Sequence, residues 1–257
     1  MDKTAVEIVN EFYETVMFGE RWPHFDKIGF YNVGYWKGIN CDNLEIAQIN
    51  LIETLVAFLS SGDSNVLDVA CGKGASARFL TKYFEAQNIT GINICERQLD
   101  VCRVVAPKCR FMLMDAAKLE FDEDSIDNIL CIESACHFMT RYKFFEEAYR
   151  VLKTGGRLAM SDVLFDKSAA EKSPAHFSEN YLPNLDSYHE SLLRTGFKYV
   201  RIEDSTEFSI ERFLEVETRR REIEFSKTRN YKRLKEISED AQSRAGIIAC
   251  CMVYAIK

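Results

Sequence analysis

The sequence predicts an α/β protein: a doubly wound, seven-stranded, mostly parallel sheet with helices before it and a helical cap. Three observations predict this. From residue 66 onward, apolar strand-like runs alternate with amphipathic stretches at about 20–25 residues per unit, the rhythm of parallel βαβ units. Small and flexible residues, Ala70 to Gly74, separate the first of these strands from a helix. Gly246–Ile256 closes the chain as an apolar run suited to a buried strand.

At 257 residues the chain suits one core with a cap. Its 47% apolar and 28% charged content is that of a globular protein. A net charge of −7 argues against a general nucleic-acid partner, because phosphate contacts need a basic face. There is no run of 18 apolar residues to suggest a membrane span, and Met1–Thr4 lacks the apolar run of a signal peptide. The nine cysteines form no C-x-x-C pair, and several lie in predicted strands as small hydrophobes. Reduced thiols and a cytoplasmic location are the expectation.

In chain order, Val6, Val9, Phe12, Tyr13, Val16 and Met17 have the spacing of an amphipathic helix over 4–18. An aromatic loop punctuated by glycines, Gly29–Trp36, precedes a second helix from about Asn43 to Ser60. Strands follow at Val66–Ala70, Asn88–Ile94, Arg110–Met114 and Ile126–Ile132, with a helix from Glu96 and another near Arg141–Leu152. Lys153–Gly156 reads as a helix stop and turn before a fifth strand, Arg157–Asp162. Residues 164–183, with Ser173-Pro174 and Leu182-Pro183, read as an insertion; a helix at Asn184–Thr195 leads to a sixth strand, Lys198–Ile202. The charged helical stretch 208–244 is too long for a connector and is read as a cap over the active site.

The glycine turn admits two readings. Gly72-x-Gly74-x-x-Ala77 formally satisfies a dinucleotide fingerprint, but that fingerprint wants an acid at the end of the second strand, where Asn93 stands. In the other, Asp68-x-Ala70-x-Gly72-x-Gly74 resembles the D-x-G-x-G-x-G motif of class I S-adenosylmethionine-dependent methyltransferases, with Ala70 for the first glycine. Thr90-Gly91-Ile92-Asn93-Ile94 with Gln98 looks like that family's second motif, and Met114-Asp115-Ala116 like its adenine-contacting motif. Arg150–Leu158 resembles its "RVLKPGG" segment, with Thr154 for proline. The matched segments run in the family's order from 66 to 163.

The resemblance implies a Rossmann-like methyltransferase fold and S-adenosyl-L-methionine as cofactor, leaving S-adenosyl-L-homocysteine as product. It divides a single domain, 1–257, into N-terminal helices with the aromatic loop (1–62), a cofactor-binding core (63–163) and cap insertions (164–195 and 208–244). It implies that Asp68 and the Ala70–Gly74 backbone, with Gly72 and Gly74, hold the methionine moiety. Asn93 and Gln98 would contact the ribose, and Asp115 and Ala116 the adenine. "YNVGYW" is similar to an "N-x-GYW" closing loop, which puts Tyr31 near the cofactor carboxylate; the same aromatics also suit plain packing of the N-terminal helices. Glu133 is expected to touch the cofactor or a helix N-terminus.

Methyl transfer is an in-line displacement, so the protein must align the acceptor, exclude water and, for a hydroxyl or acidic carbon, remove a proton. The loop after the fourth strand borders the ligand crevice of such a sheet. "ESACHF" followed by "SDVLF" resembles small-molecule O-methyltransferases that tailor sugars and other natural products; their His–Asp pair falls on His137 and Asp162. His137 is then the general base, bordering the cofactor as well, and Asp162 its orienter; a rim histidine that only packs is the bland alternative. His24, His176 and His189 have no matching partners, and no metal-ligand spacing is evident, so no metal is expected. The Arg219–Arg221 run, with Arg212 and Arg229, lies among Glu217, Glu222 and Glu224 and reads as a solvated face. The expected function is metal-independent methylation of a small-molecule acceptor, O-methylation first. Other readings are N- or C-methylation, a non-catalytic S-adenosylmethionine-binding protein and a nicotinamide-dependent oxidoreductase.

Overall fold

A computed structural model describes residues 4–18, 29–168, 175–228 and 246–257. His24, Ser173-Pro174, Arg229 and the 229–244 part of the expected cap lie outside the described residues.

Helix α1, Ala5–Phe18, starts on a reciprocal cap: the Thr4 N–H donates to Glu7 Oε2 at 2.7 Å and the Glu7 N–H to Thr4 Oγ1 at 3.3 Å. Helix α2, Leu44–Val56, is capped by Asn43, whose side chain accepts from the Glu45 N–H at 3.0 Å. It buries Leu44, Ala47, Gln48, Leu51, Ile52, Leu55 and Val56, one face at helical spacing.

The sheet then alternates with helices: β1 Val66–Val69, α3 Ala75–Leu80, β2 Ile89–Asn93, α4 Glu96–Val105, β3 Arg110–Leu113, β4 Ile126–Ile132, α5 Arg141–Val151 and β5 Leu152–Phe165. Next come α6 Leu185–Thr195, β6 Tyr199–Asp204, α7 Arg212–Thr228 and β7 Ile247–Ile256. Seven strands lie in the order β3-β2-β1-β4-β5-β7-β6. Strands β1 to β5 pair in parallel, and β7 runs antiparallel between β5 and β6. The order reverses between β1 and β4, so the crevice for a ligand opens beyond their C-terminal ends.

Both faces of the central strands are buried, and successive residues join opposite cores. Leu67, Val69, Ile129, Cys131, Leu158 and Met160 join the core under α5 and α6, while Val66, Leu130 and Ala159 join the one under α2 and α3. Strand β7 is flanked on both edges and buried from Ala249 to Ala255, which accounts for its unbroken apolar run.

The fifth strand differs from its expectation. It begins at Leu152, at once after α5, and runs to Phe165, with the register stepping from Ile126↔Leu152 to Asn128↔Arg157. The glycine pair is a kink inside the strand. Gly155 has φ +80°, its N–H donates to the Lys257 carbonyl at 3.1 Å, and the Lys257 N–H donates to Gly156 at 3.1 Å. Pairing with the far end of β7 keeps the kink in the sheet, a partner that local turn residues do not reveal.

The described part of 208–244 also behaves differently from a lid. A π-helical turn at Glu207–Glu211 leads into α7, and Ile210, Phe213 and Val216 pack on Trp36, Leu44 and Ala47. The Trp36 N–H donates to the Phe208 carbonyl at 2.6 Å. This segment fastens the aromatic loop from outside. The arginine run is consumed in ion pairs: Arg212 and Arg219 with Asp42 at 2.9 and 3.1 Å, Arg220 with Glu217 at 2.9 Å, and Arg221 with Glu217 at 3.7 Å.

Candidate active site

A cavity of about 730 Å³, counted to its open mouth, lies where the parallel strands end. One wall follows β1 to β3: Ala70, Ile92, Asn93, Gln98, Met114, Asp115 and Ala116 line it. The opposite wall follows β4, with Ser134, His137, Phe138 and Met139, and Phe177 joins it from the 175–182 segment. Helix α1 roofs both with Val6, Val9, Asn10, Tyr13 and Met17. The lid is therefore α1, and no residue of 207–228 lines the cavity.

The loop after β1 is left-handed at three positions, Ala70 (φ +56°), Gly72 (+53°) and Gly74 (+85°). A Cβ on Gly74 would stand 2.9 Å from the Cys102 Cα, so glycine is required there by contact as well as by φ. Ala70 keeps the turn expected of it at the expense of a conformation that L-residues avoid. Asp68 sits beneath the loop and does not line the cavity. It is 2% exposed, and Oδ2 accepts from Ser76 Oγ at 2.6 Å. Burial pushes its carboxyl up to about 7, against the pull of the Ser76 bond. The Ser76 hydrogen bond lets it brace the loop from below.

Asn93 and Gln98 stand together. Asn93 Nδ2 donates to Gln98 Oε1 at 3.0 Å, and its Oδ1 accepts from the Cys95 N–H at 3.0 Å. Asp115 accepts from the Ala117 N–H at 2.9 Å, turning the chain so that Asp115 and Ala116 both face the cavity. A deep slot with paired amide side chains, a carboxylate and a wall of open backbone fits a polar nucleoside cofactor.

Tyr31, Gly72, Gly74, Glu133 and Asp162 are not among the lining residues. Tyr31 Oη accepts from Lys73 Nζ at 2.9 Å and donates to the Met17 carbonyl at 3.2 Å, and Lys73 also donates to that carbonyl. An ammonium on the last carbonyls of α1 suits the helix dipole, so this contact latches the roof to the glycine loop. Glu133, itself at φ +46°, accepts from the Val33 N–H at 3.0 Å and so holds the aromatic loop. Burial pushes its carboxyl up to about 8.

His137 reaches the cavity, but Asp162 does not orient it. His137 Nδ1 lies 2.8 Å from the Ala175 carbonyl, which can only accept, so Nδ1 carries the proton and Nε2 the lone pair. Burial holds the imidazole down to about 4. Asp162 is occupied elsewhere. It accepts from Arg141 Nε at 2.8 Å, Tyr188 Oη at 2.9 Å, and the N–H groups of Cys136 at 3.1 Å and Val163 at 2.9 Å. The pair is sealed from solvent, with side-chain exposures of 4% for Arg141 and 0% for Asp162. Asn180 completes it: Oδ1 accepts from the Arg141 N–H at 2.6 Å, and Nδ2 donates to the Cys136 carbonyl at 3.1 Å. This network positions the 136–138 turn, and with it His137.

Sequence reasoning missed the roof, Arg141, Asn180 and His176. The apolar face of α1 was legible; that it faces a cavity was not. His176 lies 39 residues beyond His137 yet stacks on it, centroids 4.9 Å apart, and its own ring meets Phe165 at 4.0 Å.

A doubly wound sheet with a left-handed glycine loop beside a nucleoside-sized slot defines a Rossmann-like nucleotide- or nucleoside-cofactor enzyme. The comparisons with known proteins narrow it. A family model described as "Methyltransferase domain" matches residues 67–160. An O-methyltransferase of Aspergillus nomiae is 31% identical over 189 residues, covering 68% of this chain and 84% of that one. The sterol 24-C-methyltransferase of Kluyveromyces lactis is 30% identical over 155 residues, 54% of this chain and 42% of that one. Geranyl diphosphate C-methyltransferase from Streptomyces coelicolor A3(2) shares the fold, with a TM-score of 0.73 at 16% identity over 99% of this chain and 98% of that one. The chain belongs to the class I S-adenosylmethionine-dependent methyltransferases. Its cofactor is S-adenosylmethionine. Among the described residues, no helix is long and apolar enough to cross a membrane.

Proposed function

We propose that the protein methylates a hydroxyl of a small natural product, with His137 as general base. The observation that carries this is the His137–Ala175 bond, which leaves Nε2 unprotonated on the cavity wall. When bound, S-adenosylmethionine supplies an electrophilic methyl group on a sulfonium. Asn93 and Gln98 hold the ribose, Asp115 and Ala116 the adenine, and the Ala70–Gly74 backbone the methionine end. Tyr13, Phe138 and Phe177, close to His137, give the acceptor an apolar bed. Helix α1 excludes water above it. His137 Nε2 would take the acceptor proton as the oxygen–methyl bond forms and the sulfur–methyl bond breaks, with S-adenosylhomocysteine as the leaving group.

C-methylation is the second reading. Rings of Tyr13, Phe138 and Phe177 beside the cavity suit a carbocation, and a sterol C-methyltransferase stands among the relatives. The test is an acceptor screen with His137→Ala. As a general base, His137 should be worth roughly 10²–10⁴-fold in kcat, with S-adenosylhomocysteine affinity unchanged. A product methylated on oxygen with that loss supports the first reading. A product methylated on carbon replaces it with the second.

A further inference from the structure

At the cavity wall, His137 is joined by two soft ligand groups that methyl transfer does not use, Cys136 and His176. Cys136 Sγ and one ring nitrogen each of His137 and His176 lie within 4.8 Å of one another. The three come from two segments, the 136–137 turn and the strand-like stretch at 176, and the stacked rings hold them together. His176 Nδ1 is buried and has no hydrogen-bond partner. With its proton on Nε2, the His176 ring presents the Nδ1 lone pair to a ligand.

We propose that Cys136, His137 and His176 bind a soft divalent cation, zinc in the first instance, and that its binding withdraws His137 Nε2 from the proton-transfer role. The binding claim stands on its own; the inhibition rests on the proposed function.

Several features fit. One thiolate and two imidazoles are the donor set of three-ligand zinc sites, which keep a fourth position open. His137 already donates Nδ1–H to the Ala175 carbonyl, the outer bond that commonly fixes a metal-binding imidazole with its other nitrogen forward. The Ala175 carbonyl keeps the His137 proton on Nδ1, so Nε2 carries the lone pair that a metal takes. Cys136 is a thiol; on binding, the metal–sulfur bond forms as the S–H bond breaks, and the proton leaves to buffer. Arg141 offers no opposing charge of full strength, since Asp162 neutralises it at 2.8 Å. Tetrahedral zinc at ordinary bond lengths needs ligand atoms ~3.3–3.8 Å apart. From 4.8 Å, side-chain rotations that bring the atoms about 1 Å closer suffice.

The experiment uses the full chain, stripped with a chelator and titrated with Co²⁺ and then Zn²⁺. The expected result is one Co²⁺ per chain with a thiolate-to-cobalt charge-transfer band in the near ultraviolet, displaced by Zn²⁺. Cys136→Ser and His176→Gln should each remove the band and weaken zinc binding by roughly 100-fold or more. Neither residue belongs to the proposed transfer machinery, so metal-free activity should persist while inhibition by zinc disappears. No stoichiometric binding by wild-type protein, or a band that survives in both variants, overturns the site. Binding without inhibition keeps the site and overturns His137 as the base. His176→Gln guards against a Cys136→Ser variant that fails to fold, because it leaves the buried 136 position untouched.

Discussion

The cavity wall along β1 to β3 is made of backbone and sequence neighbours; the wall beyond β4 is made of side chains brought from far apart. The first needs Ala70, Gly72 and Gly74 at left-handed angles and short contacts such as Asn93 with Gln98, five residues on. The second needs Arg141, Asp162, Asn180 and Tyr188 to converge on one buried ion pair before His137 has a fixed place. One wall is set by local conformation and tolerates change in the rest of the molecule. The other depends on tertiary assembly, and it is where acceptor chemistry and specificity can vary without disturbing cofactor binding.

The strongest way to break this division is Arg141→Met. It strands Asp162 in a sealed site and should cost about 3–5 kcal/mol, a fall in Tm of roughly 6–20 °C for a chain of this size. Methyl transfer should be lost, because the 136–138 turn loses its anchor. Below its Tm the variant should still bind S-adenosylhomocysteine within about threefold of wild type, since ion pair and cofactor wall are separate. Titration calorimetry on the folded variant decides. Loss of cofactor binding in parallel with loss of transfer would show that the two walls are one unit.

A smaller effect tests the cofactor wall through pH. The folded-state pKa of Asp68, about 7, lies above its ordinary 3.8, so the native chain retains a proton that the unfolded chain releases. The Asp68 contribution to stability therefore falls as pH rises from about 4, and the penalty is complete above about 7. Asp68→Asn keeps an acceptor for Ser76 and removes the charge. It should match wild type near pH 4 and exceed it at pH 8 by on the order of 2–4 kcal/mol, read by urea unfolding at both values. An equal difference at both pH values would mean that the buried charge is not what strains the loop.

The same contrast explains what could be read from sequence alone. The strands and the glycine turn were legible because each signal is local, an apolar run or a small-residue turn; Asn93, Gln98, Asp115 and Ala116 were picked out by resemblance to family motifs, and all four line the cavity. His137 was legible as a residue shortly after β4. Its partner was not. Asp162 sits at the expected strand end, but four donors claim it, and two of them, Arg141 and Tyr188, come from helices whose packing no local pattern encodes. Ala175 acts through its backbone carbonyl, which carries no side-chain signature at all. Helix α1 was read correctly as amphipathic, yet periodicity does not distinguish a face that meets a core from one that roofs a cavity. The expected cap at 208–244 was a length argument; its described part, which ends with α7, spends its apolar face on Trp36 and Leu44.

The mildest change bears most directly on whether the cofactor wall is backbone geometry. Ala70 stands at φ +56° and lines the cavity. The left-handed conformation costs an L-residue about 1–2 kcal/mol, whereas glycine adopts it freely but loses about 0.5–1 kcal/mol to unfolded-chain entropy. Ala70→Gly should therefore stabilise the protein slightly, by about 0.5–1 kcal/mol, or roughly 1–4 °C in Tm. Affinity for S-adenosylhomocysteine should hold or improve, because the turn is kept and the ligand gains room. A thermal melt and a calorimetric titration on the same sample give both values. A less stable variant with weaker binding would mean that the alanine methyl, and not the left-handed backbone, shapes the loop. The wall along β1 would then rest on side-chain packing, as the wall beyond β4 does.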